Sequence, residues 1–198
     1  MTSLIVGADS GIGSAIYSKL PGSTGTSRRN GSSHVFLDVL TENWPTFDNK
    51  FDEVYYCIAV DGLGGTPEAT MQVNALRSVA CLDYLAKFVV DGGTIKVLTS
   101  IMGSLTKGFM MPATDANVYY RMSKAALNMG VMDLSKRYTN IDWQLVHPGF
   151  VNTKITRNLS YIDQAVDPEY AAEKIIALPK IKGVSYIEIE PTGTRMII

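Results

Sequence analysis

The 198-residue chain has room for one domain with a sizeable core, and a second independent domain would be cramped. Hydrophobic residues make up 46% and charged residues 19%, the balance of an ordinary soluble globular protein. Eighteen Lys and Arg against nineteen Asp and Glu leave a formal charge of -1, which argues against a nucleic-acid partner or a polybasic membrane surface. Cys57 and Cys81 sit in apolar runs and read as buried reduced thiols, and with only His34 and His147 beside them no metal site is expected. No apolar run is long enough to span a bilayer, and Met1 leads into Gly7 without a basic leader, so the expected compartment is cytoplasmic.

Residues 4–6 are a short apolar run, as expected of a strand covered on both faces. Residues 14–20 read as a helix stopped by Pro21-Gly22, followed by short strands over 23–27 and 34–38. Residues 53–59 are a stronger strand. Thr66-Pro67-Glu68 opens a helix, with a capping hydroxyl, Pro in first position and an early acid. That helix is expected to run toward Val89 and stop before Asp91-Gly92-Gly93. Residues 94–100 form a strand, 117–138 a long amphipathic helix, and 142–147 a strand closed by Pro148-Gly149. Asp167-Pro168-Glu169 opens another helix, and 184–189 form the last strand.

Strands alternating with helices predict an α/β fold. The expected form is a doubly wound, parallel β-sheet of Rossmann type in a single domain spanning 1–198. Between Asp38 and Asp52 the chain is short and carries Pro45, so the usual crossover helix is expected to shrink to a turn or vanish.

The first strand ends in Gly7-Ala8-Asp9-Ser10-Gly11-Ile12-Gly13. Such a turn brings backbone close to a pyrophosphate, and the helix behind it offers free N–H groups and the positive end of its dipole. The bland alternative is a plain glycine-rich turn, and the position at the first strand–helix junction favours the cofactor loop. The second strand ends at Ser27, where an acid would read an adenine ribose, and Arg28 and Arg29 follow. Arginine pairs with phosphate, so NADP(H) is favoured and NAD(H) stays possible, against a merely solvated basic turn. Asp38 is a candidate for the adenine amino group.

Tyr120 and Lys124 stand four apart on one helix face. A neighbouring ammonium favours the phenolate, so Lys124 is expected to lower the Tyr120 pKa and make the phenol a usable acid and base. The competing reading is an aromatic ring packed on a lysine stem. Tyr119 has Ser123, not a lysine, at that spacing. Ser100 stands at the carboxyl edge of the preceding strand, where its hydroxyl can bond a substrate carbonyl oxygen.

In this order and on these elements, the motifs resemble the classical short-chain dehydrogenase/reductase family over essentially the whole chain. The stretches 100–104 and 120–128 look most like its C-factor-like branch. The resemblance implies a catalytic set of Ser100, Tyr120 and Lys124, completed by Asn74, which would hold a water linking Lys124 to solvent. It implies cofactor contacts from Gly7, Ser10, Gly11, Ile12 and Gly13, from Ser27, Arg28, Arg29, Asp38 and Val39, and from Ile58 and Ala59. Tyr120, Lys124, Pro148 and Gly149 join them, with Val151 (through its backbone) and Thr153 (through its hydroxyl) at the nicotinamide carboxamide. No metal is implied. The chain departs from the family at Tyr56-Cys57-Ile58-Ala59, where Asn-Asn-Ala-Gly is usual. An added loop, 105–116, carries Phe109-Met110-Met111-Pro112, and either walls an apolar pocket or is a surface insertion. The substrate lid, 154–166, is short, which implies an open pocket or a covering partner chain.

The function expected is reversible hydride transfer between NAD(P)(H) and a small-molecule carbonyl or alcohol, with Tyr120 as acid and base. The alternative is a cofactor-binding regulatory or scaffold protein with vestigial catalysis. A sugar-nucleotide epimerase or dehydratase would need a larger substrate domain. The helices from Thr66 and from Asn117 carry apolar residues on more than one face, and the resemblance implies that they form a homodimer or homotetramer interface.

Overall fold

The computed structural model describes residues 1–61, 66–107, 118–190 and 193–196, with residues 190 and 193–196 described by backbone only. One sheet of eight strands runs in the order β3-β2-β1-β4-β5-β6-β7-β8. The strands are β1 (Ser3–Val6), β2 (Thr24–Ser27), β3 (Val35–Phe36), β4 (Phe51–Tyr56), β5 (Val89–Leu98), β6 (Asp142–His147), β7 (Val184–Glu190) and β8 (Gly193–Met196). Seven strands pair in parallel, as the alternating pattern predicts. The eighth, a strand that the sequence pattern does not announce, pairs antiparallel to β7.

Helices cover both faces: α1 (Gly11–Lys19) and α5 (Pro168–Ile176) on one, α3 (Arg77–Leu85) and α4 (Val118–Arg137) on the other. Leu127, Val131 and Leu134 of α4 join Val54, Val97, Trp143 and Leu145 in one core cluster. Ile16, Ala172 and Ile175 join Ile5, Tyr55, Val146 and Ile187 in the other. The central strands have side chains buried on both faces, which is why β1 reads as a continuous apolar run rather than an alternation.

The expected middle helix is three pieces: α2 (Pro67–Met71), a π-helical turn (Gln72–Leu76) and α3. Thr66 caps α2 by accepting from the Ala69 N–H, as its capping hydroxyl predicts. A 3₁₀ turn (Ala86–Phe88) ends the run, and β5 then begins at Val89, earlier than the strand start expected at residue 94. Strand pairing of Val89 with Phe51 explains the early start.

Between β3 and β4 no helix forms. In its place Trp44 and Phe47 pack against Tyr84 and Phe88, with ring centroids 5.4–5.5 Å apart. Arg77 lies over Trp44 and donates to the carbonyls of Val39 and Thr41, fixing this segment to α3. On the opposite face, Lys96 pairs with Glu53 at 3.1 Å, both buried, while the Tyr55 hydroxyl donates to the same carboxylate. Among the described residues no helix is long and apolar enough to cross a membrane.

Candidate active site

The carboxyl edges of β1, β4, β5 and β6 gather most of the residues singled out in the sequence. Gly7 has φ +87° and Gly11 φ +54°, a region open to glycine at little cost. A Cβ on Gly13 would collide with the Gly7 carbonyl oxygen, so the start of α1 can lie on β1 only if residue 13 is glycine. The Ser10 side chain makes no capping bond, and no acid occupies the first turn of α1. The helix end therefore keeps N–H groups and positive dipole available for an anion. Thr153 lies over Gly11, with its methyl 3.4 Å from where a Cβ would be, so the segment after β6 forms the facing wall of the same cleft. Ile58, two residues past β4, touches the Gly7 position, whereas Ile12 packs against the core.

The catalytic candidates meet next to this cleft. Ser100 follows β5 and opens a 3₁₀ turn (Ile101–Gly103), its hydroxyl accepting from the Met102 N–H. A Cβ on Gly103 would meet Lys124 backbone at 2.8 Å, so this glycine lets α4 approach the serine turn. Tyr120 and Lys124 occupy successive turns of α4. Lys124 is buried and donates to the Leu98 carbonyl at 3.0 Å. Its ammonium lies 5.9 Å from the Tyr120 ring centroid.

The expected lowering of the Tyr120 pKa is not what this geometry gives. Burial pushes the phenol up to about 12, the neighbouring Ser100 hydroxyl pulls it back, and the Asp61 carboxylate raises it. Burial brings Lys124 down to about 8. The lysine is spent on a backbone carbonyl, and desolvation outweighs its attraction for a phenolate.

The sequence matches no family model. It is 31% identical over 111 residues to 1-hydroxy-2-glutathionyl-2-methyl-3-butene dehydrogenase of Rhodococcus sp. (strain AD45), covering 54% of this chain and 46% of that protein. It is 38% identical over 89 residues to C-signal of Myxococcus xanthus, covering 42% and 51%. The matches thus span about half the length of these curated relatives. Similarity in structure extends over whole chains. A short-chain dehydrogenase/reductase from Serratia marcescens BCRC 10948 aligns with TM-score 0.73 and 20% identity over 94% of this chain and 96% of that one. The chain has the fold of the short-chain dehydrogenases/reductases. Two further solved structures superpose with TM-score 0.73: BdcA in complex with NADPH (18% identity, 100% and 96% covered) and 3-alpha-hydroxysteroid dehydrogenase of Pseudomonas sp. B-0831 complexed with NADH (19%, 95% and 95%).

Within this short-chain dehydrogenase/reductase fold, several residues stand otherwise than the sequence predicts. The Asn74 side chain is fully buried in the π-helical turn. Its Oδ1 accepts from the Val60 N–H, and its Nδ2 donates to the Val60 carbonyl at 2.8 Å and to the Ser123 hydroxyl at 3.1 Å. Both amide protons are thereby used within the protein. Asn74 is a strut between the end of β4 and α4, and its amide has no proton left for a water. Ser123, which the sequence marks only as the i+4 neighbour of Tyr119, completes the strut by donating to the Tyr120 carbonyl at 2.8 Å. Its place between Tyr120 and Lys124 is the one sequence signal for it.

At the end of β2, Arg29 is held beside Asp9 through Nε, and its side chain stays largely exposed. Its Nε lies 3.2 Å from Asp9 Oδ2, and the Ser27 hydroxyl donates to the same oxygen at 3.0 Å while accepting from the Arg29 N–H. Arg28 is exposed. Asp38 sits one strand further out, its carboxylate accepting from the Leu40 N–H. Val39 is a core residue, reaching the edge only with its backbone. Ala59 is half-buried beside Val60.

Pro148 and Gly149 leave β6, and Gly149 has φ +83° where a Cβ would meet the Ile189 carbonyl at 2.9 Å. Val151 is buried and bridges to Val166, closing the short lid segment on itself. The Thr153 N–H donates to the Thr156 hydroxyl. Residues 108–116 of the added loop and the expected helix start at Asn117 lie outside the described residues. Both cysteines are free thiols, and among the described residues no three His, Cys, Asp or Glu gather into a metal-binding group.

Proposed function

We propose that this chain is an NAD(P)(H)-dependent oxidoreductase acting on a carbonyl/alcohol pair, with NADP(H) preferred. The observation that carries this reading is the meeting of Ser100, Tyr120 and buried Lys124 at the carboxyl edge of β5, facing a glycine cradle at the mouth of α1. The cradle fits a dinucleotide. Its glycines let β1, the start of α1 and Thr153 approach closely, and the uncapped α1 N-terminus offers N–H groups to an anion. The relatives point the same way, one being named a dehydrogenase and one structural neighbour holding NADPH.

When bound, the nicotinamide supplies or accepts the hydride. The Ser100 hydroxyl orients the substrate oxygen and stabilises charge developing on it. With its pKa held up near 12, Tyr120 is protonated at neutral pH and gives that proton to the nascent alkoxide. Lys124, at about 8, exchanges protons readily near neutrality. Asn74 and Ser123 hold α4 in register with β4.

Turnover is tested by NADPH oxidation across a panel of aldehydes, ketones and quinones. Tyr120→Phe should cost at least about a thousandfold in rate while NADPH binding stays within about twofold, on the scale of general acid–base catalysis. Parental rates in the variant would remove Tyr120 from the chemistry. A second reading, a cofactor-binding regulatory protein, draws on the altered residues 56–59 and on the relative named C-signal. NADPH binding with no turnover on any member of the panel is its outcome.

A further inference from the structure

We propose a second small-molecule site behind the Ser100 turn, for a compact apolar molecule carrying one hydroxyl or carbonyl. A cavity of about 220 Å³ lies between α4 and the β6–β7 face. Met132, Leu145, Val184 and Tyr186 form its apolar lining, and Ser104, Thr106, Lys107, Asn128 and Ser185 its polar lining. Neither Ser100, Tyr120 nor Lys124 lines it, so it is separate from the catalytic cleft.

Two wall residues hold the catalytic turn. The Tyr186 hydroxyl donates to the Ser100 carbonyl at 3.1 Å. Asn128 accepts from the Thr99 hydroxyl at 2.5 Å and reaches the Gly103 carbonyl at 3.5 Å. An occupant therefore presses on the groups that fix the backbone on both sides of Ser100 without touching its hydroxyl.

The size and lining specify the ligand. An apolar cavity of about 150 Å³ accommodates benzene. The larger volume here suits a substituted ring or a bicyclic of indole size. The walls reward apolar surface, while the Ser104 hydroxyl and the Asn128 amide serve one polar group. Filling the site stabilises one position of the Ser100 turn and so changes turnover without competing for the glycine cradle. That consequence rests on the proposed oxidoreductase reading, whereas binding does not.

The experiment is a titration of the full chain with indole, followed by amide NMR shifts and by calorimetry. One saturable site per chain is expected, with shifts at Thr99 to Gly103 and with NADPH affinity unchanged within about twofold. Val184→Phe and, separately, Met132→Phe fill the space and should weaken indole binding by about tenfold or more, equal to about 1.4 kcal/mol. Two variants guard against one that folds poorly. Lack of saturation, or full-strength binding in both filled variants, would overturn the site. Saturable binding that leaves the Ser100 turn unshifted would overturn the coupling. Loss of turnover on every carbonyl tested bears on the oxidoreductase reading alone.

Discussion

The buried charge among the candidate catalytic residues works against the fold that holds it. Lys124 is buried with its pKa brought down to about 8 from an ordinary 10.5. In the window between those values the unfolded chain binds more protons than the folded one, so this group's contribution to stability rises as pH climbs from 8 to 10.5. Below pH 8 its ammonium is carried into the interior at a cost of about 3 kcal/mol, since each tenfold fall in proton affinity corresponds to about 1.4 kcal/mol. Lys124→Met should therefore raise the pH 7 unfolding free energy and flatten the pH dependence between 8 and 10.5. Denaturant titrations at pH 7, 8.5 and 10 measure both effects. A variant less stable than the parent at pH 7 would show that the buried ammonium is a net stabiliser. Asp9 sets a second charge problem, because its carboxylate competes with any anionic ligand for Arg29, whose Nε it already holds. Asp9→Asn frees the guanidinium, and a charge-assisted bond is worth about 1.5–3 kcal/mol. The ratio of NADP⁺ to NAD⁺ affinity, measured by fluorescence titration, should rise about tenfold. A falling ratio would mean that Asp9 positions Arg29 for phosphate rather than competing with it. These two residues mark the limit of the sequence. Tyr120, Lys124 and Ser100 are legible from spacing and strand position. The direction of a pKa shift depends on burial, and the pairing of Asp9 with Arg29 joins residues from two separate loops.

At the level of elements, the alternation of apolar strands with amphipathic helices announces a parallel sheet, and seven strands follow it. The middle helix is legible as a single helix, because no Gly or Pro interrupts residues 68–88. Its π-helical turn has no compositional signature and comes from tertiary contacts. Asn74 is held by Val60, and the Ser78 hydroxyl donates to the Val73 carbonyl five residues back. The two ends of the strut belong to different elements, so removing it should loosen the end of β4 and α4 together. Asn74→Ala is expected to cost about 2–3 kcal/mol, the scale of leaving buried partners unsatisfied. It should lower the chemical denaturation midpoint and increase hydrogen exchange at residues 57–60. A change below about 0.5 kcal/mol would show the strut to be dispensable. The shortened β3–β4 connection follows from Pro45 and its length. The substitution of Trp44 and Phe47 for a helix does not, since their partners Tyr84 and Phe88 lie a whole helix later.

For the whole molecule, exposed apolar side chains recur along α4 and the π-helical turn packed against it, as well as on β3 and in loops. Tyr119, Met122 and Met129 of α4 and Leu76 of the π-helical turn are exposed. Such a patch marks an association surface, and a two-fold pairing through these helices is the expected assembly. Light scattering should give twice the chain mass, and the double change Met122→Glu with Met129→Glu should return it to one. An unaltered dimer in that variant would place the interface elsewhere.

The antiparallel pairing of β8 with β7 has a consequence for how far such assembly can go. A parallel sheet ordinarily leaves its last strand with a row of free N–H and C=O groups, onto which a neighbouring molecule can add its own strand. Here β8 takes the row of β7 and becomes the border itself, with four residues. The other border, β3, offers only two residues for pairing. Neither border gives a long ladder to a neighbour, so contact between copies is left to helix faces. A helix-to-helix contact that closes on itself after one rotation ends at two subunits.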